Sequence, residues 1–167
     1  MTAKLLIEGK EFDIEILDPK LQEIFAPSKK RTGYEEDVGG VYYYDNGMGA
    51  IDCESHECNA DDDCYKAANY YYDKSVAENN VRADKLMRQL RRFAVEHRKK
   101  CFDWKDGSQK KFFILYEYNL DVFSIEFEGV CKYPFTIFFD THQTAQLAID
   151  TFRDELIWYF TEYKDSL

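Results

Sequence analysis

Residues 67–100 (AANYYYDKSVAENNVRADKLMRQLRRFAVEHRKK) constrain this chain more than any other stretch. Asn69-Tyr70-Tyr71-Tyr72 reads as a short aromatic strand, and the residues after it read as helix. Asp73 and Ser75 supply start signals, with Glu78 three residues after Ser75 as its capping-box partner. At 100° per residue, Val76, Ala83, Leu86, Met87, Leu90, Phe93, Ala94 and His97 share one face. Lys85, Arg88, Arg92 and Lys99 share the opposite one. A single amphipathic helix over about 75–98 is expected, and its apolar face needs a sheet to cover.

The rest of the chain offers strands for that purpose. Residues 4–17 (KLLIEGKEFDIEIL) read as a hairpin turning near Gly9-Lys10. Asp18-Pro19 then opens a short helix, LQEIF, and residues 27–33 form a basic loop. Val41–Tyr44 and Met48–Cys53 flank an Asp45-Asn46-Gly47 turn. Residues 54–64 carry no apolar period and read as a polar loop. After the long helix, residues 102–111 connect to three more strands, 111–118, 122–128 and 135–139. A second helix, capped by Asp140 or Thr141, is expected over 143–163. Its core stripe is Ala145, Ala148, Ile149, Phe152, Leu156, Tyr159, Phe160 and Tyr163.

The order hairpin, aromatic strand, Asp, long helix therefore occurs twice, with residues 70–73 set against 137–140. The expected class is α+β: two β-β-β-α units, antiparallel sheets each packed by a long amphipathic helix. With 28 Phe, Tyr and Trp in 167 residues, one compact domain has ample core material; subdomains 1–100 and 101–167 are the natural division.

Charge is where function begins to show. The formal charge of −10 is concentrated. From Tyr34 to Cys64 there are ten acids and neither Lys nor Arg, whereas Arg82 to Lys111 carries eleven bases against four acids. Glu35, Glu36, Asp37, Asp52, Glu54, Glu57, Asp61, Asp62 and Asp63 form the candidate partner-binding surface. Carboxylates at this density resemble the charge spacing of a nucleic-acid backbone. Lys85, Arg88, Arg92 and Lys99 are the alternative, a face for phosphates. Leu147 and Trp158 fall outward on the second helix and suggest a homodimer patch.

Other chemistry is thin. Cys53, His56, Cys58 and Cys64 are zinc-ligand types at irregular spacing, so no metal is expected there. No nucleophile motif or phosphate loop appears, and no carboxylate pair is nominated as catalytic, so neither catalytic residues nor a cofactor are expected. A carboxylate-based enzyme is the third reading. His97 should be packed in the core. No run is long enough for a membrane span and no export signal opens the chain, which implies a soluble cytoplasmic protein with reduced cysteines.

The segments NYYYDKSVAENN (69–80), ADKLMRQLRRFA (83–94), Trp104, KKFFILYEY (110–118) and YPFTIFFDTHQTAQLAIDTFRDELIWYF (133–160) resemble small proteins of Firmicutes phages, prophages and mobile elements. The likeness spans nearly the whole chain, and the Cys-bearing loop 53–64 departs from it. By analogy, phage proteins of this size and acidity include anti-CRISPR inhibitors of RNA-guided DNA nucleases. The resemblance implies a host-cytoplasm protein whose partner is a host defence nuclease or its ribonucleoprotein.

Overall fold

A computed structural model describes residues 2–7, 10–15, 32–34, 41–48, 51–55 and 59–164, with side chains described for 32–34, 41–48 and 63–164. The chain divides into two units, Met1–Arg31 and Thr32–Leu167. The first contains an antiparallel hairpin of β1 (Thr2–Ile7) and β2 (Lys10–Glu15), in register from Thr2↔Glu15 to Ile7↔Lys10. Lys10 is thus already a strand residue and not part of a Gly9-Lys10 turn. The expected helix LQEIF and most of the basic loop lie outside the described residues.

The second unit is α+β. Strand β3 (Val41–Asp45) pairs antiparallel with β4 (Ile51–Ser55), and a helix α1 (Asn59–Lys66) comes next. Then come the long helix α2 (Lys74–Glu96), the hairpin β5 (Lys111–Glu117) and β6 (Val122–Glu128), and two short helices, α3 (His142–Thr151) and α4 (Arg153–Thr161).

Helix α1 replaces part of the expected polar loop. Its signals are electrostatic: Asp61 and Asp62 lie in its first turn, near the positive N-terminal end, and Lys66 lies in its last turn. Its end is a Schellman closure, in which Asn69 N–H donates to the Cys64 carbonyl (2.9 Å) and Ala68 N–H to that of Tyr65 (3.0 Å). Ala68 accordingly sits at φ 55°, a region that suits glycine. Ala68→Gly is expected to raise stability by roughly 0.5–1 kcal/mol, read as a higher urea midpoint with unchanged m-value.

Asn69, placed by that closure, extends the sheet with its side chain. Its amide accepts from Asp45 N–H and donates to Asp45 O, both at 2.9 Å. The expected aromatic strands at 69–72 and 135–139 contract to one antiparallel bridge each, Tyr43↔Tyr71 and Phe112↔Phe139. Two residues after each bridge stands the helix N-cap. Asp73 accepts from Ser75 N–H and Val76 N–H, and Thr141 accepts from Thr144 N–H. Asp73, not a Ser75–Glu78 box, therefore starts α2. Four residues further, Ala77 and Ala145 are both fully buried. Bridge, cap and buried alanine thus fall at Tyr71, Asp73 and Ala77 and at Phe139, Thr141 and Ala145, a spacing one residue off the expected pairing of 70–73 with 137–140.

Helix α2, roughly 34 Å long at 1.5 Å per residue, serves two apolar clusters. Val76 and Ala77 in its first turn pack with Tyr71, Tyr34 and Tyr43. Leu86, Leu90, Phe93 and Ala94 pack with Phe139, Ala145, Ala148, Ile149 and Leu156. Most of the expected stripe is buried, joined by Ala77 and Val81, while Met87 is half-buried. His97 is not in the core. It is the exposed C-cap, its ring stacked on Phe93 at 3.9 Å.

The expected helix 143–163 is broken. Phe152 leaves helical geometry (φ −114°, ψ 21°), and Thr151 Oγ1 bonds the Leu147 carbonyl at 2.7 Å, a local contact that bends helices. The Phe152 ring is then free to meet Phe93 edge-on at 5.6 Å. Helical hydrogen bonds still span the break, Phe152 N–H to the Ala148 carbonyl (3.0 Å) and Leu156 N–H to that of Phe152 (2.8 Å), and Leu156 stays buried as expected.

Candidate interaction surfaces

Of the acidic candidates, Glu35, Glu36, Asp37 and Glu57 lie outside the described residues. Asp52 and Glu54 hold register positions opposite Tyr44 and Tyr42 on β4. Asp61, Asp62 and Asp63 are consecutive on α1, and Asp63 is exposed. The backbone thus gathers five of the nine positions onto one hairpin strand and the helix after it, with only the Asp63 side chain described. Of the Cys53, His56, Cys58 and Cys64 set, only the Cys64 side chain is described. Among the described residues no three His, Cys, Asp or Glu are grouped closely enough to hold a metal ion.

The basic candidates are partly neutralised by the protein's own acids. Arg88 pairs with Asp45 at 3.7 Å, and Arg92 with Glu96 at 3.8 Å. Lys85 is exposed on α2. Lys99 lies beyond the end of α2 and does not belong to its face; its N–H donates to Asp140 Oδ2 at 2.7 Å. The long helix therefore presents no unbroken row of four free cations. Surface pairs of this kind contribute little stability, but they place carboxylates where phosphates would have to sit.

The Leu147–Trp158 patch does not exist. Leu147 is exposed, whereas Trp158 is buried, 7 % exposed. The Arg82 guanidinium lies 3.9 Å over its ring and also makes two hydrogen bonds to Glu155, at 2.8 and 3.1 Å. Those bonds hold the Glu155 carboxyl below its usual range. The expected stripe survives the break, with Leu156 buried and Tyr159 and Phe160 packed on the core, so Trp158 is buried outside that stripe, beneath the Arg82 guanidinium.

Around the aromatic bridges the chemistry is structural. Tyr42 and Tyr70 stack at 4.4 Å, and Asn80 donates to Tyr34 Oη (3.0 Å) while accepting from Tyr163 Oη (2.9 Å). Burial pushes the Tyr71 hydroxyl up to about 12. No acid–base role follows from a phenol held that far above neutrality.

A site that the sequence pattern does not reveal lies at the C-terminal end of α2. A cavity of about 790 Å³ is lined by Arg91, Ala94, Val95 and Arg98 on one wall. Cys101, Phe102, Trp104 and residues 132–138 line the rest. Its volume is in the range of ligand pockets. The available signal was Arg91, Ala94/Val95 and Arg98 at helical spacing, flanking the core stripe. What no periodicity shows is that Trp104 and the 132–138 segment fold up beside them.

Comparison of the chain with protein-family models, with curated proteins and with solved structures found no match. No helix among the described residues is long and apolar enough to cross a membrane.

Proposed function

We propose that this chain is a phage or mobile-element anti-defence protein of the anti-CRISPR kind. In this reading it binds a host RNA-guided DNA nuclease, or its ribonucleoprotein, and blocks the basic nucleic-acid groove with its acidic segment 35–63. The observation that carries the reading is ten carboxylates between Tyr34 and Cys64 without one Lys or Arg. A basic groove built for phosphates attracts such a segment before contact and holds it afterwards. The pairing of Arg88 and Arg92 with Asp45 and Glu96 supports this assignment over phosphate binding by α2.

The paired bridges support a finer reading of the scaffold as well. Residues 41–96 and 111–161 act as two β-β-β-α units, each third strand shortened to its bridge residue. The matching buried alanines, Ala77 and Ala145, each share a core cluster with the bridge residue of their own unit, Tyr71 and Phe139.

The test is cleavage inhibition across a panel of purified RNA-guided nucleases. Neutralising Glu35, Glu36, Asp37, Asp61, Asp62 and Asp63 to Gln or Asn is expected to weaken inhibition by at least about tenfold, or ~1.4 kcal/mol. Neutral amides are preferred to lysines because Asp61–Asp63 also support α1, and circular dichroism checks that helix. Inhibition should fade with salt as the Debye length shrinks to about 3 Å at 1 M. Unchanged inhibition in the neutral set rejects the mimicry. If Arg88→Glu with Arg92→Glu abolishes activity and the protein shifts labelled DNA or RNA, α2 is a nucleic-acid surface.

A further inference from the structure

We infer that the cavity at the end of α2 is a docking groove for an acidic, extended segment of a partner protein. One large apolar side chain enters the cavity, and flanking carboxylates pair with Arg91, Arg98 and Lys132.

Charge complementarity is the first argument. The lining residues include three cations and not one carboxylate, in a protein of net charge −10. None of the three cations has an ion pair among the described residues, unlike Arg82, Arg88, Arg92 and Arg153. They come from different parts of the chain, Arg91 and Arg98 on α2 or just past its end and Lys132 in the segment after β6. A chain laid in the groove meets positive charge from both segments. Arginine in particular engages carboxylates with two parallel hydrogen bonds. Arg98 Nε is buried and has no hydrogen-bond partner among the described residues.

The apolar lining argues for an anchor. Ala94, Val95, Pro134, Ile137 and Phe138 surround the space, and Phe135 stands at its rim, 91 % exposed. Phe135 has φ 61°, unfavourable for a bulky residue. A large exposed ring held on backbone of that kind contributes nothing to the core, but it is well placed to cover a bound side chain.

The same rings argue against single-stranded nucleic acid, the other ligand that combines aromatics with cations. Base binding needs free ring faces for successive bases. Here the Arg98 guanidinium covers Phe102 at 4.3 Å, and Trp104 meets Phe102 and Phe138 edge-on. Tyr133 packs against Phe113 and Phe138. Phe135 alone among the lining rings makes no ring contact among the described residues, and one platform does not hold a strand.

The test uses the whole protein and labelled peptides of about nine residues, glutamate-rich around one central tryptophan or leucine. Matched peptides carry glutamine for glutamate, or glycine for the anchor, and labelled oligothymidine is the nucleic-acid probe. Fluorescence anisotropy at about 0.1 M salt is expected to show the acidic anchored peptides binding at least about tenfold tighter than both controls. Arg91→Glu with Lys132→Glu should remove that preference, and Phe135→Ala should weaken anchored peptides selectively. All three side chains are exposed, and unchanged circular dichroism confirms folding. The variant neutralised at Glu35, Glu36, Asp37 and Asp61–Asp63 should bind the peptides undiminished, which separates this groove from the inhibitory surface. Equal binding of glutamine peptides, indifference to the groove variants, or preference for oligothymidine overturns the inference.

Discussion

Lys111→Met is expected to destabilise the protein by roughly 3–5 kcal/mol, a large fraction of a single domain's stability. Lys111 is the one charged residue among the fully buried side chains described. Its ammonium donates to three carbonyls, those of Asp106 (3.1 Å), Gln109 (2.9 Å) and Gly129. One side chain thus ties the loop before β5 to the turn after β6. Packing leaves no slack there, since a Cβ on Gly129 would come within 2.7 Å of the Gly107 carbonyl. Methionine fills comparable volume but donates nothing, so each abandoned carbonyl that stays dry costs about 1–3 kcal/mol. Urea denaturation checks this, with exposed Lys105→Met as a control expected within about 0.5 kcal/mol of the parent. A loss below about 1 kcal/mol would show that water takes over the carbonyls. Because the Lys111 ammonium also lies 5.2 Å from the Trp104 ring, the substitution should loosen one wall of the proposed groove.

Leu90→Ala is expected to cost roughly 2–5 kcal/mol. Leu90 is 4 % exposed and sits in the cluster where α2 meets Phe139, Ile149 and Leu156. Three small neighbours, Ala94, Ala145 and Ala148, already let the helices approach closely, and none can grow into the space a lost isobutyl group would leave. Met87→Ala, one turn earlier and half-buried, should cost clearly less. Equal losses at the two positions would mean that the buried face of α2 is misassigned.

Local signals in the sequence were sufficient for some elements. Helix α2 was legible because its apolar residues recur with the helical period over many turns, long enough for the pattern to outweigh noise. The hairpins β3–β4 and β5–β6 were legible from turn chemistry, although β4 runs Ile51–Ser55 rather than the expected Met48–Cys53, and Asp45 pairs with Ile51 inside the ladder instead of opening the turn. Asp45 Oδ1 accepts from Gly47 N–H, and Asp121 adopts φ 52° in the turn between β5 and β6. Helix α1 was missed because an eight-residue helix held by dipole, charge and a Schellman end has no stripe to find.

The candidate site divides along the same line. Sequence alone determined the charge polarity, since counting carboxylates and bases needs no coordinates, and with it the proposal of an acidic contact surface. It also determined that α2 would carry the core. Only the tertiary structure decided which cations are free. Arg88 and Arg92 are occupied by Asp45 and Glu96, and Lys99 is outside the helix, whereas Arg91, Arg98 and Lys132 line a cavity without a carboxylate. It likewise decided that Trp158 is buried, because the Arg82 guanidinium of α2 lies over its ring and Tyr163 packs beside it, contacts that no helical wheel contains. A periodic pattern reports how one element faces its core; which elements then meet, and what charge is left unpaired between them, depends on contacts between residues far apart in the chain.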